Sequence, residues 1–236
     1  MLFAIVVAAG RGLRMGFKKQ FFSLAGQPMW TRSVQAMLAG GAEQVVVVAS
    51  AEDVDAMSES MANCQWADRC VVAVGGDTRH QSVVAGMRHI YEQVTSLEVD
   101  LRDVLVGVHD AARPFVCAED VSNTYACARA EGVAILGTGC KDTVKWYDGA
   151  YVDHTVPREQ LFLAQTPQVI RGDIVYRAYL TDSSPQSPTD DSALMESLGY
   201  RVACVESTHY NGKVTTPADL DYARWLASKL WGEEKL

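Results

Sequence analysis

The 236-residue sequence has no long apolar run: no stretch approaches the roughly 20 residues needed to cross a bilayer. It also has no excess of positive charge. With 29 acidic against 21 basic residues and a formal net charge of −8, the global field attracts neither nucleic acid nor an anionic membrane, so any phosphate site must be local. Metal-like and redox-like cysteine spacings are missing too. Cys64, Cys70, Cys117, Cys127, Cys140 and Cys204 contain no C-x-x-C pair, and His80, His89, His109, His154 and His209 show no zinc spacing. The cysteines read as reduced, mostly buried thiols of a cytoplasmic protein. No G-x-S-x-G elbow or Cys–His pair for nucleophilic catalysis is evident.

What is present is an ordinary globular composition, 48% hydrophobic and 21% charged, which argues for a folded chain with a buried core. The apolar opening at 2–9 lacks a basic leader and runs straight into a glycine-rich turn, so it reads as a buried first strand and not a signal peptide. Similar β-branched runs recur at 44–49, 70–74, 104–109, 133–136 and 201–205. Several are nearly continuous in hydrophobicity, as strands covered on both faces are. Helical patterns lie between and after them, at 29–39, 53–61, 79–94, 118–130, 173–180, 190–198 and 217–230. In the third, Val83, Met87, Ile90 and Val94 form one stripe.

The alternation predicts a three-layer α/β domain with a mostly parallel sheet, spanning 1–236, whose ligand crevice lies beyond the carboxyl ends of the strands. Residues 140–160 break the pattern. Strand-like alternation at 141–147, the turn pair Asp148-Gly149 and a returning strand at 150–155 predict a projecting β-arm. The segment 182–188, rich in serine and proline, reads as a mobile loop.

Three glycine- or aspartate-bearing turns follow the predicted strands. Ala8-Ala9-Gly10-Arg11-Gly12-Leu13-Arg14-Met15-Gly16, with Lys18-Lys19-Gln20 after it, offers backbone N–H groups and cations to phosphate oxygens. It fits neither the dinucleotide fingerprint, which needs glycine where Met15 stands, nor the P-loop. Gly75-Gly76-Asp77-Thr78-Arg79-His80-Gln81-Ser82 places polar groups at a helix start, suited to a base and a ribose, with Asp77 or Thr78 as helix cap. His109-Asp110-Ala111-Ala112-Arg113-Pro114 puts a carboxylate at a strand end, where it is either a Mg²⁺ ligand or a structural turn residue.

Taken in order with Asp142-Thr143-Val144-Lys145, Gln165-Thr166-Pro167-Gln168 and Lys213-Val214-Thr215, these segments resemble the 2-C-methyl-D-erythritol 4-phosphate cytidylyltransferases over essentially the whole chain. The resemblance implies a Rossmann-like nucleotidyltransferase fold and a Mg²⁺-dependent transfer of CMP from CTP to methylerythritol 4-phosphate in non-mevalonate isoprenoid biosynthesis. It also implies homodimers joined through the β-arm. Carried over residue by residue, it makes Arg14 and Lys19 stabilisers of the transition state. Thr143, Arg158 and Lys213 become contacts to the acceptor, Arg158 and Lys213 holding its phosphate. Ala8, Ala9, Gly10, Gly12, Gly76, Asp77 and Ser82 become the CTP site, and Asp110 the metal ligand. Two positions depart from the family pattern. Lys18 stands where proline is frequent, leaving both Lys18 and Lys19 as lysines for the phosphates, and Pro157 directly precedes Arg158. The alternatives are a ribitol 5-phosphate cytidylyltransferase, which shares these motifs, and more distantly a nicotinamide-cofactor oxidoreductase or a non-catalytic nucleotide-binding module.

Overall fold

The computed structural model describes residues 1–10, 16–181 and 189–232. The strands are β1 Leu2–Val7, β2 Ser23–Leu24, β3 Gln27–Pro28, β4 Gln44–Ala49, β5 Cys70–Val74 and β6 Leu105–Asp110, followed by β7 Val133–Gly139, β8 Val144–Tyr147, β9 Val152–Val156, β10 Phe162–Arg171 and β11 Ala203–Glu206. The helices are α1 Met29–Ala39, α2 Val54–Ala62, α3 Arg79–Ser96, α4 Ala118–Glu131, α5 Gly172–Tyr179, α6 Asp191–Ser197 and α7 Pro217–Trp231. Seven strands form one sheet in the order β11-β7-β10-β6-β1-β4-β5.

The predicted three-layer α/β arrangement is present, and its cause is visible strand by strand. Successive side chains of a strand face opposite sides. Ala4, Val6, Val45 and Val47 therefore enter one core with Trp30, Val34, Met37, Met57, Val121 and Tyr125 of α1, α2 and α4. Phe3, Ile5, Val46 and Val48 enter the other, with Val83, Met87, Ile90 and Val94 of α3 and with residues of α5 and α6. Each of those four α3 residues, fully buried, contributes roughly 1.5–3 kcal/mol of transfer free energy. A third cluster joins Leu24 and Met29 to Phe115, Val214 and the inner face of α7.

β10 was not expected. Pro167 interrupts its apolar run, and proline removes a ladder donor. The strand nevertheless runs antiparallel between β6 and β7, and its register with β7 breaks between Ala164 and Gln168, so the proline sits where no ladder bond is required. The arm is a separate two-stranded sheet, β8 with β9. Its turn has four residues instead of the expected two, because Tyr147 pairs with Val152 and the Asp148 carboxylate accepts the N–H groups of Ala150 and Tyr151. Trp146, Tyr147, Tyr151 and Val152 on it are exposed.

The six cysteines are free, but the expectation of burial fails: Cys204 is exposed and the others are half-buried. No helix among the described residues is long and apolar enough to cross a membrane. The predicted loop at 182–188 lies outside the described residues.

Candidate active site

Parallel register brings the carboxyl ends of β1, β4, β5 and β6 side by side, with Val7 opposite both Val48 and Asp110. The chain leaves each strand into the same crevice. Ala8 N–H donates to Val48 O at 2.8 Å and Gly75 N–H to Ala49 O at 2.7 Å, fixing the first two turns against the strand between them. A Cβ at Gly75 would stand 2.7 Å from Ser82 Oγ, 2.9 Å from a Val48 methyl and 3.1 Å from Ala9 Cβ. Only glycine permits that approach, which draws the Ala8–Ala9 turn and the start of α3 together. Thr78, not Asp77, caps α3: its side chain accepts from Gln81 N–H while the Gln81 side chain accepts from Thr78 N–H. Ser82 is buried, with its hydroxyl 3.0 Å from Thr78 O.

Asp110, the last residue of β6, lies between two cations. Lys213 Nζ is 2.6 Å from Asp110 Oδ2 and Arg79 Nε is 3.2 Å from Oδ1. Burial alone would raise its pKa, but Arg79 and then Lys213 outweigh that and hold the carboxyl well below the usual carboxylate range. Lys213 reaches the site because Val214 N–H donates to Ala112 O at 2.8 Å, laying the segment before α7 along the loop after β6. Lys19 Nζ donates to Val214 O at 2.7 Å, which brings it to the same segment.

The two adjacent lysines therefore have different surroundings. Lys18 Nζ pairs with Asp53 at 2.6 Å and Glu52 at 3.0 Å. Asp53 also accepts from Ser50 Oγ at 2.8 Å and Gln20 Nε2 at 3.3 Å, so Lys18 completes a hydrogen-bonded turn before α2.

Behind Asp110 the donors run in one direction. His109 is fully buried, and burial lowers its pKa to about 4, so the ring is neutral. Its Nε2 lies 3.0 Å from Arg113 O, an acceptor only, so the proton resides on Nε2. Nδ1 then accepts from Thr166 Oγ1 at 3.0 Å, and Thr166 Oγ1 accepts from Asp110 N–H at 3.1 Å. Thr166 reaches this position from the irregular stretch of β10.

The structure thus brings Lys19, Lys213 and Asp110 together, beside the turns that hold Ala8, Ala9, Gly10, Gly76, Asp77 and Ser82. Gly12 and Arg14 lie outside the described residues. Thr143 and Arg158 lie at the base of the arm, where Arg158 Nη1 donates to Lys141 O at 2.8 Å. Sequence reasoning assigned no role to Arg79, Thr166 or Asp191. Arg79 was visible as the one cation at the start of α3; Asp191 carried no signal beyond its place at a helix start. Cys117, Asp120 and His209 bring possible ligand atoms within 4.8 Å of one another. The Asp120 carboxylate there already accepts from Ser207 Oγ and from both Thr208 N–H and Oγ1, which makes it a clamp for the turn after β11.

The chain is similar to known proteins along nearly its whole length. The family model described as IspD, 2-C-methyl-D-erythritol 4-phosphate cytidylyltransferase, matches residues 2–229. A protein of that name from Halalkalibacterium halodurans is 35% identical over 95% of this chain and 96% of its own. One from Stenotrophomonas maltophilia is 37% identical over 98% of both. Among solved structures, the 4-diphosphocytidyl-2C-methyl-D-erythritol synthase of Anaerococcus prevotii superposes with a TM-score of 0.79 at 27% identity, covering 96% of this chain and 95% of that one. The Thermus thermophilus cytidylyltransferase gives 0.73 at 28%, covering 96% and 99%. A nucleotidyltransferase sheet, a charged crevice at its strand ends and a match along nearly the full length converge on one assignment: the chain belongs to the 2-C-methyl-D-erythritol 4-phosphate cytidylyltransferase family.

Proposed function

We propose that the crevice binds CTP through the first two turns and places its α-phosphate between Lys19 and the Asp110–Lys213 pair, where the phosphate of methylerythritol 4-phosphate attacks it. Family membership makes the protein a nucleotidyltransferase of isoprenoid biosynthesis; the residue roles, the metal and the assembly are our reading. The observation that carries it is the convergence of Lys19 and Lys213 on one segment, with Asp110 bonded to Lys213 at 2.6 Å.

The acceptor phosphate is ionised at neutral pH and needs no general base. One of its oxygens forms a bond to the α-phosphorus, and the bond from that phosphorus to the bridging oxygen breaks, releasing pyrophosphate. The chain's task is to align two anions and neutralise them, the usual source of catalysis in such transfers. Lys19 and Lys213 face the phosphates, and Arg14 joins them in the assignment carried over from the family. The turn that begins at Ala8, whose own N–H is held by Val48 O, offers the amide donors of Ala9 and Gly10 to the triphosphate, Gly12 joins them in the assignment carried over from the family, and Gly76, Asp77 and Ser82 meet the nucleoside.

The donor set suits Mg²⁺. Asp110 is an ionised hard-oxygen ligand, and each of its oxygens meets one cation, Arg79 at Oδ1 and Lys213 at Oδ2, leaving acceptor capacity on both. Bound there, the metal supplies charge neutralisation at the phosphates. Thr143 and Arg158 flank the exposed arm, one just before β8 and the other just after β9, and in the homodimer we propose, the arm of one protomer carries them to the other's crevice. We read residues 1–236 as one cytoplasmic nucleotidyltransferase domain.

The test is pyrophosphate release with each of the four NTPs against methylerythritol 4-phosphate and ribitol 5-phosphate, with and without Mg²⁺. CTP-dependent, Mg²⁺-dependent release with the methylerythritol acceptor is expected. Release with ribitol 5-phosphate alone, or without metal, overturns the corresponding part.

A further inference from the structure

Arg79 does not grip Asp110 in the way a guanidinium normally meets a carboxylate. The favoured geometry is a fork, two parallel N–H···O bonds to both oxygens. Here only Nε reaches Asp110, at Oδ1, while Nη2 lies 2.7 Å from Asp191 Oδ2. Asp191 is buried at the first position of α6 and is held from two sides. Its Oδ1 accepts the hydroxyl of Tyr179 at 2.6 Å, and the Tyr179 ring stacks on His80, the neighbour of Arg79, at 5.6 Å. The start of α6 is tied in turn to β10, where Gln168 Oε1 accepts from Ser192 N–H and Gln168 Nε2 donates to Asp190.

Asp110 and Asp191 share one guanidinium, and Lys213 takes the second oxygen of Asp110. We infer that Asp191 is a positioning residue for the transfer reaction: by retaining one arm of Arg79 it stops the guanidinium from forking across Asp110, and so keeps that carboxylate turned toward Lys213 and the crevice. Asp191 touches no reacting atom; it acts through Arg79. The inference rests on the reading of Asp110 and Lys213 as part of the site.

The experiment is a kinetic double-mutant cycle on the full chain. Asp191→Asn keeps the shape and an acceptor for Tyr179 but removes the charge that holds Nη2. It should lower kcat by about 10–10²-fold, the scale of a displaced catalytic group, with KM for CTP nearly unchanged and with folding confirmed by urea titration. Asp191→Glu, which keeps the charge, should recover most of the loss. In an Arg79→Ala background Asp191→Asn should cost nothing further. An unchanged kcat for folded Asp191→Asn, or losses that multiply in the double variant, overturns the inference. If Asp191→Asn does not fold, Tyr179→Phe decides: a fall in kcat of several-fold that vanishes in the Arg79→Ala background supports it, and an unchanged kcat overturns it. Asp110→Asn separates the two levels. If that variant is fully active the site reading itself fails, whereas an inactive Asp110→Asn beside a silent Asp191→Asn sinks this inference alone.

Discussion

Acidification offers a quantitative check on the hydrogen-bonded chain behind Asp110. His109 is fully buried, its Nε2–H is committed to Arg113 O and its Nδ1 accepts from Thr166, so the folded state holds the ring neutral with a pKa of about 4 against an ordinary 6.5. The folded pKa is depressed, so between these two values the unfolded chain binds more protons. The stability contribution is complete above about pH 6.5, falls as the pH drops, and levels off below about 4. At 1.36 kcal/mol per pH unit the full loss is about 3 kcal/mol, of which about 2 kcal/mol is lost by pH 5. Urea unfolding at pH 7.5, 6.5, 5.5 and 5.0, for the parent and for His109→Gln, measures it. The variant retains the other four histidines, so the difference in slope between the two proteins isolates residue 109. The variant should start less stable and lose about 2 kcal/mol less on going to pH 5. Parallel curves for the two proteins would refute the assignment of a buried neutral imidazole.

Three further outcomes follow from the geometry. Lys19→Ala should reduce kcat by about 10²–10³-fold, the cost of removing one charge-stabilising donor, while Lys18→Ala, which loses only the pairs to Asp53 and Glu52, should leave kcat within a few-fold; steady-state assays of both decide it. Gly75→Ala forces a methyl against Ser82 Oγ and Val48, and should cost about 1–3 kcal/mol by chemical denaturation together with a raised KM for CTP. Mixing inactive Arg158→Ala with inactive Lys19→Ala protomers should restore part of the activity if arms cross between subunits; confirmed mixed dimers with no activity would exclude a shared site.

Most of the sheet was legible because its strands are covered on both faces, and continuous β-branched runs such as Gln44–Ala49 have no other stable reading in a chain of this composition. β10 was hidden for the opposite reason. The single feature that marks it as a poor strand, Pro167, is harmless at a register break that only the folded partners reveal. The arm was found, but its turn length was not, since a local side-chain acceptor on Asp148 and not the dipeptide preference sets the loop. In the site, Asp110 and Lys213 could be named from their motifs, whereas their direct contact could not. The different surroundings of Lys18 and Lys19 come from Asp53 and Val214, residues with no distinguishing sequence signal of their own. Asp191 escaped entirely because its importance comes from what a guanidinium on another helix does between two carboxylates.

The contacts that define the crevice join distant parts of the chain: Lys213 to Asp110 across 103 residues, Arg79 to Asp191 across 112 and Lys19 to Val214 across 195. Closing loops of that length is entropically expensive and is rewarded only once the intervening layers have docked. Helical signal and burial of Trp30 can therefore return during refolding while the segment before α7 is still unattached. Recovered activity is in effect a clock for the last docking step, and in a refolding time course it should lag behind both spectroscopic signals.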